Sequence, residues 1–235
     1  MRSDIYTVIF TLMVTVILGL FISITADTLR SKQEINEALD IKKNILSVLG
    51  FSQSGVQWTS DKIQSIYENN IKEIIIDSKG NEVQNPDLPD GDVLKIYQST
   101  ENNGSVSGYA IPISGKGLWG TMYGYFAMAP DASTVKGITF YKHKETPGLG
   151  GEVDKDWFKN NFVGKKLIDG DGNLVSIEVV KGYVSNSDPN ASHKVDGISG
   201  ATITGKGVTT FLKEDLQKYE PYFAKIRKLN QIDSL

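Results

Sequence analysis

The run Ser199-Gly200-Ala201-Thr202-Ile203-Thr204-Gly205 combines three hydroxyl side chains with small neighbours. Small residues let a backbone pass close to a bulky ligand. The hydroxyls of Ser199, Thr202 and Thr204 can donate to phosphate oxygens, and Lys206 adds positive charge immediately beyond them. A helix predicted to start near Gly205 would aim unpaired N–H groups and its positive end at an anion. The same residue types also build an ordinary Ser/Thr-rich helix cap. On residue chemistry alone the segment is a phosphate cradle or a cap, and both readings stay open.

Other chemistry-bearing positions are fewer. His143 and Glu145 lie two apart, so on a strand they would share a face, either as a surface ion pair or hydrogen bond or as a functional pair. Gly115-Lys116-Gly117-Leu118-Trp119-Gly120 fits the GxGxxG pattern. That pattern signals a dinucleotide site only between a strand and a helix, and the residues after it, from Thr121, read as strand. A glycine turn is the expectation there. Asp169-Gly-Asp-Gly-Asn resembles the start of a calcium loop, but Leu174 and Val180 stand where the loop needs glycine and glutamate, so a hairpin turn is expected.

The chain has no cysteine and two histidines, His143 and His193. Disulfides, thiolate clusters and cysteine zinc sites are excluded, and no metal site is expected. If this chain moves electrons, an organic cofactor carries them. The net charge is -3 and the lysines are scattered, so no nucleic-acid partner is expected.

The elements that must hold these residues follow from periodicity. Ile5 to Ala26 contains no charged residue and is long enough to span a bilayer. It is too long, and its flanks are wrong, for a cleaved signal peptide. Helical spacing is predicted over 31–49 with Gly50 as the stop, then a short helix over Thr59–Tyr67. Strands are predicted at Ile71–Asp77, Val93–Gln98, Ser107–Ile113, Thr121–Met128, Thr134–Tyr141 and Leu174–Val180, with a two-proline loop at Asn85–Asp92. Helices are predicted at Glu152–Phe162, with Trp157, Phe158 and Phe162 on one side, and at Gly205–Tyr219, ending before Pro221. The expected organisation is a membrane anchor over 1–30, a helical connector over 31–70 and a domain over 71–235. The fold class is α+β, an antiparallel sheet flanked by helices behind a single transmembrane helix. Arg30, Lys32, Lys42 and Lys43 behind the apolar run favour a cytoplasmic domain by the charge count, a weak signal for large domains.

The segment Asp196-Gly197-Ile198-Ser199-Gly200-Ala201-Thr202 resembles the flavinylation motif of a family of membrane electron-transport subunits. Lys116-Gly117-Leu118-Trp119, Met122-Tyr123-Gly124-Tyr125 and His143-Lys144-Glu145-Thr146-Pro147-Gly148-Leu149-Gly150-Gly151-Glu152 resemble the C-subunit family of sodium-translocating NADH:quinone reductases. The G subunits of Rnf ion-translocating ferredoxin:NAD oxidoreductases share the anchor, the Glu-Thr-Pro-Gly segment and the flavin site. The resemblance covers most of 106–212 and the anchor, and is weak over 50–105.

The resemblance implies FMN joined through its phosphate to Thr202. It further implies a separate magnesium-dependent flavin transferase that takes FMN from FAD and reads Asp196 and the small residues after it. Glu145 to Gly150 would lie near the isoalloxazine, with Thr146 bonding ring or ribityl oxygens, Leu149 covering a ring face, and Pro147, Gly148 and Gly150 shaping the turn. Ser199, Gly200, Ala201, Thr204 and Lys206 would complete the cofactor site, and Trp119 would border the flavin or lie in the core. The implied role is a one-electron relay among other subunits of a membrane redox complex, single-pass in the bacterial inner membrane with its domain on the periplasmic side. Such a chain binds neither NADH nor sodium itself and has no turnover alone. An anchored, non-redox binding or assembly module remains the contrasting reading.

Overall fold

The computed structural model describes residues 2–51, 58–84, 93–101, 103–185 and 187–232; the expected loop at Asn85–Asp92 lies outside them. The chain divides into two compact units, Met1–Ile41 and Lys42–Leu235. Helix α1 (Arg2–Val48) begins in the first unit, where Asp4–Arg30 is long and apolar enough to cross a membrane. The spacing seen over 31–49 is the continuation of this one helix. Its end is a Schellman cap: Phe51 N–H donates to Leu46 C=O, Gly50 N–H to Ser47 C=O, and Gly50 takes φ +89°. Only a residue without Cβ adopts that angle at little cost, which is why the helix stops there.

In the second unit, α2 (Ser60–Asn70) leads into a five-stranded antiparallel meander. Its strands are β1 (Ile71–Asp77), β2 (Val93–Thr100), β3 (Val106–Lys116), β4 (Thr121–Met128) and β5 (Val135–Lys142), in sequence order. Alternation assigns the faces: Ile111, Ile113, Met122 and Phe126 point into the main core, while Tyr97, Ala110 and Tyr125 point to the other face. The second face is covered where Val48 packs over Gly137, and Tyr67 of α2 donates to Glu73 Oε1 at 2.7 Å.

After β5 come a 3-10 turn (Gly150–Asp154) and α3 (Asp156–Asn160), where one helix over Glu152–Phe162 was expected. Lys155 is extended (φ -79°, ψ 146°) and divides them. Phe158 and Phe162 enter the core while Trp157 faces solvent. The expected strand Leu174–Val180 shrinks to β6 (Glu178–Val179), paired parallel with β7 (Lys194–Val195). Ser176 at φ +67° breaks the extended run, and Val175 and Ser176 both donate to Leu167 C=O. Asp169–Asn173 is a turn, as expected, closed by the Asp169 carboxylate accepting from the Asp171 and Asn173 N–H groups.

Helix α4 (Thr202–Ile232) corrects the expected Gly205–Tyr219 at both ends. It starts three residues earlier, and Pro221 lies inside it. Proline removes one N–H and so strands the Gln217 carbonyl. Contacts beyond the proline hold the continuation: Lys225 Nζ donates to Gly80 C=O at 2.8 Å, Arg227 Nη1 to Ala132 C=O at 3.1 Å, and Asn230 to Pro130 C=O at 3.0 Å. Phe211 and Leu212 of α4 pack on the core face of the sheet.

The glycines of the GxGxxG run explain that packing. Gly115 and Gly117 lie on the β3–β4 hairpin, whose strands close at Lys116 and Thr121. A Cβ on Gly115 would sit 2.1 Å from Phe211 Cβ, and one on Gly207 would sit 2.3 Å from Lys116 C=O. The pattern therefore serves the close approach of α4 to a hairpin, as the turn reading anticipated.

Candidate functional site

The hydroxyl-rich segment lies at the start of α4. Gly205 N–H donates to Ala201 C=O at 3.0 Å, so the Thr202, Ile203 and Thr204 N–H groups have no intrahelical acceptor. Thr202 is half-buried at this positive end, and Ser199 and Gly200 before it are exposed. Gly200 takes φ +74°, and a Cβ there would sit 2.8 Å from Leu149 Cδ2. The backbone angle demands glycine at this position, and an added Cβ would also displace the exposed Leu149 side chain.

A cleft of about 740 Å³ opens beside this helix start. That is the size of an ordinary small-molecule or cofactor site, about 300–1,000 Å³. One wall holds Ser199, Gly200, Ala201, Thr202, Lys206 and Thr210, and the other is the stretch Glu178–Tyr183. Gly197 seals the floor, donating to Gly182 C=O at 2.7 Å, with its Cα hard against Val180 C=O. Asp196 is half-buried, and its Oδ1 accepts from Val184 N–H at 2.7 Å, holding the far wall to β7.

On the other side of the helix start lies the turn from His143 to Gly151. Thr146 C=O accepts from the N–H groups of Leu149 and Gly151, and Gly148 takes φ +74°. Thr146, Gly148 and Leu149 are exposed, while Gly150 is buried. Glu145 does not form the surface pair weighed for it: its side chain is only 5% exposed. Oε1 accepts from Trp119 N–H at 2.9 Å and Oε2 from the Thr204 hydroxyl at 2.5 Å. His143 instead receives the Glu145 backbone N–H at Nδ1, 3.2 Å away. Thr204 is fully buried, its hydroxyl committed to Glu145. Trp119 is 66% exposed, which overturns the core reading of that residue.

Thus Ser199 to Thr202 and Lys206 share the cleft, while Trp119, Thr146 to Gly150 and Thr204 gather around Glu145 and Leu149 on the opposite flank. One feature escaped the sequence reading altogether, and the partners of Glu145 escaped it as well. The Glu178–Tyr183 wall carries only a Lys-Gly-Tyr signal after a broken strand. The pairing of Glu145 has no local mark, because the glycines that make room for its carboxylate, Gly117 and Gly150, are close to it only in space.

An open helix N-terminus beside a cleft of cofactor size, behind a helix long and apolar enough to cross a membrane, defines a domain built to hold an anionic ligand. The family described as FMN-binding domain matches residues 117–217. The chain is 31% identical to the Na(+)-translocating NADH-quinone reductase C subunit of Pseudomonas aeruginosa, over 97% of each chain. It is 36% identical to the same reductase's C subunit from Pasteurella multocida, over 92% of this chain and 94% of that one. The crystal structure of the Parabacteroides distasonis C subunit matches with a TM-score of 0.70 at 32% identity, over 83% of this chain and 96% of that one. That of Shewanella oneidensis NqrC matches with a TM-score of 0.67 at 26% identity, over 80% and 97%. The chain belongs to the family of Na(+)-translocating NADH-quinone reductase C subunits. It is an FMN-carrying electron-transfer subunit of a membrane redox complex, and the reductase name of these relatives disfavours the Rnf alternative.

Proposed function

We propose that this chain is the anchored flavin relay of a sodium-translocating NADH:quinone reductase, with FMN fastened to Thr202 through its phosphate. The observation that carries this reading is the Thr202 hydroxyl at the open N-terminus of α4, lining a cleft of cofactor size. The N–H groups of Thr202 and Ile203, which lack intrahelical acceptors, and the Lys206 ammonium offset the charge that a phosphodiester keeps. Ser199 and the Gly200-Ala201 backbone let the group approach closely. Leu149 and Trp119 offer apolar surface for a ring face, with Thr146, Gly148 and Gly150 shaping the turn beneath. Bound FMN supplies a centre that can accept and release electrons singly.

Attachment is the work of a separate flavin transferase. The Thr202 oxygen forms a bond to the FMN phosphorus of FAD, the pyrophosphate bond breaks, and AMP leaves. The threonine proton passes to a base on the transferase, since a threonine hydroxyl needs one. Asp196 and the small residues after it are what that enzyme reads. NADH oxidation, quinone reduction and sodium transport belong to partner subunits, and this chain alone has no turnover. The domain lies on the periplasmic side, against the local charge count.

The test is the intact mass of the full chain, purified after co-expression with a flavin transferase. A single FMN adduct on the peptide containing Thr202, absent in Thr202→Ala, is expected. An unmodified wild-type chain would support the anchored binding-module reading. Fusing a compartment-specific reporter to the C-terminus checks the side of the membrane; activity confined to a cytoplasmic reporter overturns the periplasmic placement.

A further inference from the structure

We propose that Glu145 is a positioning residue for the flavin, tying the Leu149 turn and the Trp119 hairpin to the start of α4, the helix that carries Thr202, and adding a carboxylate at that junction. The inference rests on the flavin reading above. The Glu145 carboxylate lies where three separate segments meet, and it bonds two of them directly. Trp119 N–H on the β3–β4 hairpin donates to Oε1 at 2.9 Å. The Thr204 hydroxyl in the first turn of α4 donates to Oε2 at 2.5 Å. Glu145 itself opens the Thr146–Gly151 turn that carries Leu149 over Gly200.

The surroundings are shaped to this carboxylate. A Cβ on Gly117 would sit 2.6 Å from Oε1, and a Cβ on Gly150 would sit 2.6 Å from Oε2. Two glycines are thus needed to admit one acid. A buried acid is costly unless its oxygens are paired, and here each oxygen has a partner. An apolar residue would fill the same space without that cost. What the acid adds is a directed bond to each partner and a carboxylate at the junction. Negative charge in a site of low dielectric makes a nearby redox group harder to reduce.

The experiment uses the full chain, flavinylated by co-expression, with three variants. Each is read by intact mass, by the visible circular dichroism of the flavin and by its midpoint potential. Glu145→Gln keeps the geometry, since its amide accepts from Trp119 and donates to Thr204. It should retain the flavin dichroism and shift the potential to a more positive value. Glu145→Ala should keep the adduct on Thr202, lose at least half of the dichroism, and also shift the potential positive. Thr204→Val, which removes one donor at constant shape, should lower the dichroism by a smaller fraction. A purely structural role would lower the melting temperature and leave dichroism and potential alone. Flavinylated Glu145→Ala with both at wild-type values overturns the proposal. If that variant does not fold, Thr204→Val and Glu145→Gln decide: unchanged dichroism in the first together with unchanged potential in the second also overturns it. Wild-type chain lacking the Thr202 adduct would sink the flavin-attachment reading instead, an outcome the mass measurement reports separately.

Discussion

Gly197→Ala tests whether the cleft depends on the seam between its floor and far wall. A Cβ at 197 would lie 2.0 Å from Val180 C=O, where ordinary contact begins at 3.4 Å. The Val180–Tyr183 wall must therefore retreat by about 1.4 Å. Gly197 has no positive φ, so the cost comes from crowding and not from backbone angle. That retreat strains the Gly197 N–H bond to Gly182 C=O and the Val180 N–H bond to Val195 C=O, at 2.7 and 3.0 Å. Overpacking costs about 1–3 kcal/mol, and each weakened hydrogen bond about 1 kcal/mol. A loss of about 3–5 kcal/mol lowers the melting temperature of a domain this size by roughly 6–20 °C. The intact mass of Gly197→Ala, co-expressed with the transferase, should also show reduced FMN adduct, because the wall facing Thr202 has moved. Gly170→Ala is the control: nothing lies within 4 Å of its added Cβ. Equal melting temperatures and equal adduct in the two variants would refute the argument that Gly197 sets the wall.

Three further outcomes follow from the same geometry. Burial pushes the Asp131 carboxyl up, but hydrogen bonds from the Thr134 hydroxyl and the Ser133 and Thr134 N–H groups outweigh it and hold the group below the usual carboxylate range. The stability this gives is present above the unfolded value of about 3.9 and is lost as pH falls through the folded value. Urea midpoints of wild type and Asp131→Asn should therefore differ at neutral pH and converge in acid; a gap that persists in acid would contradict the assignment. Gly80→Ala combines φ +70° with a Cβ 2.4 Å from Tyr222 N, and should cost about 2–4 kcal/mol by urea titration. Asp215→Ala removes the acceptor for Ser114 N–H, 2.8 Å away, from a buried position and should cost about 1–3 kcal/mol by the same assay.

The sequence made the meander legible because each strand is a short β-branched or aromatic run with a turn at either end. Ile71–Asp77 and Thr121–Met128 occur with the expected limits. Local patterns failed where tertiary contacts decide. Pro221 reads as a stop, yet Lys225, Arg227 and Asn230 hold the helix onward through bonds to loops distant in sequence. Leu174–Val180 reads as one strand, yet Ser176 turns out of it at positive φ. At the site, Thr202 and its neighbours stood out because a motif is contiguous. Glu145 was singled out beside His143, but its bonds were not legible, because its partners at 119 and 204 come from separate segments.

The placement of the attachment residue has a mechanical logic on the proposed reading. Helix α4 is the element most firmly joined to the sheet, through Phe211 on Gly115 and the Asp215 bond to Ser114. The base of the far wall is held to α4 by the Val179 N–H bond to Thr209 Oγ1 at 2.9 Å and to β7 by a two-residue parallel pair, but its Lys181–Tyr183 end is exposed. Elements with fewer buried contacts open at lower free energy than the core. A cofactor held only by both walls would loosen whenever the weaker wall moved. One fastened to Thr202 moves with the rigid helix, so its distance to a redox partner is set by the sheet and not by the loop. Once the adduct has formed, the far wall can move without loss of the cofactor; its place matters while the transferase acts, whereas Thr202, Gly200 and the hairpin glycines that seat α4 matter throughout.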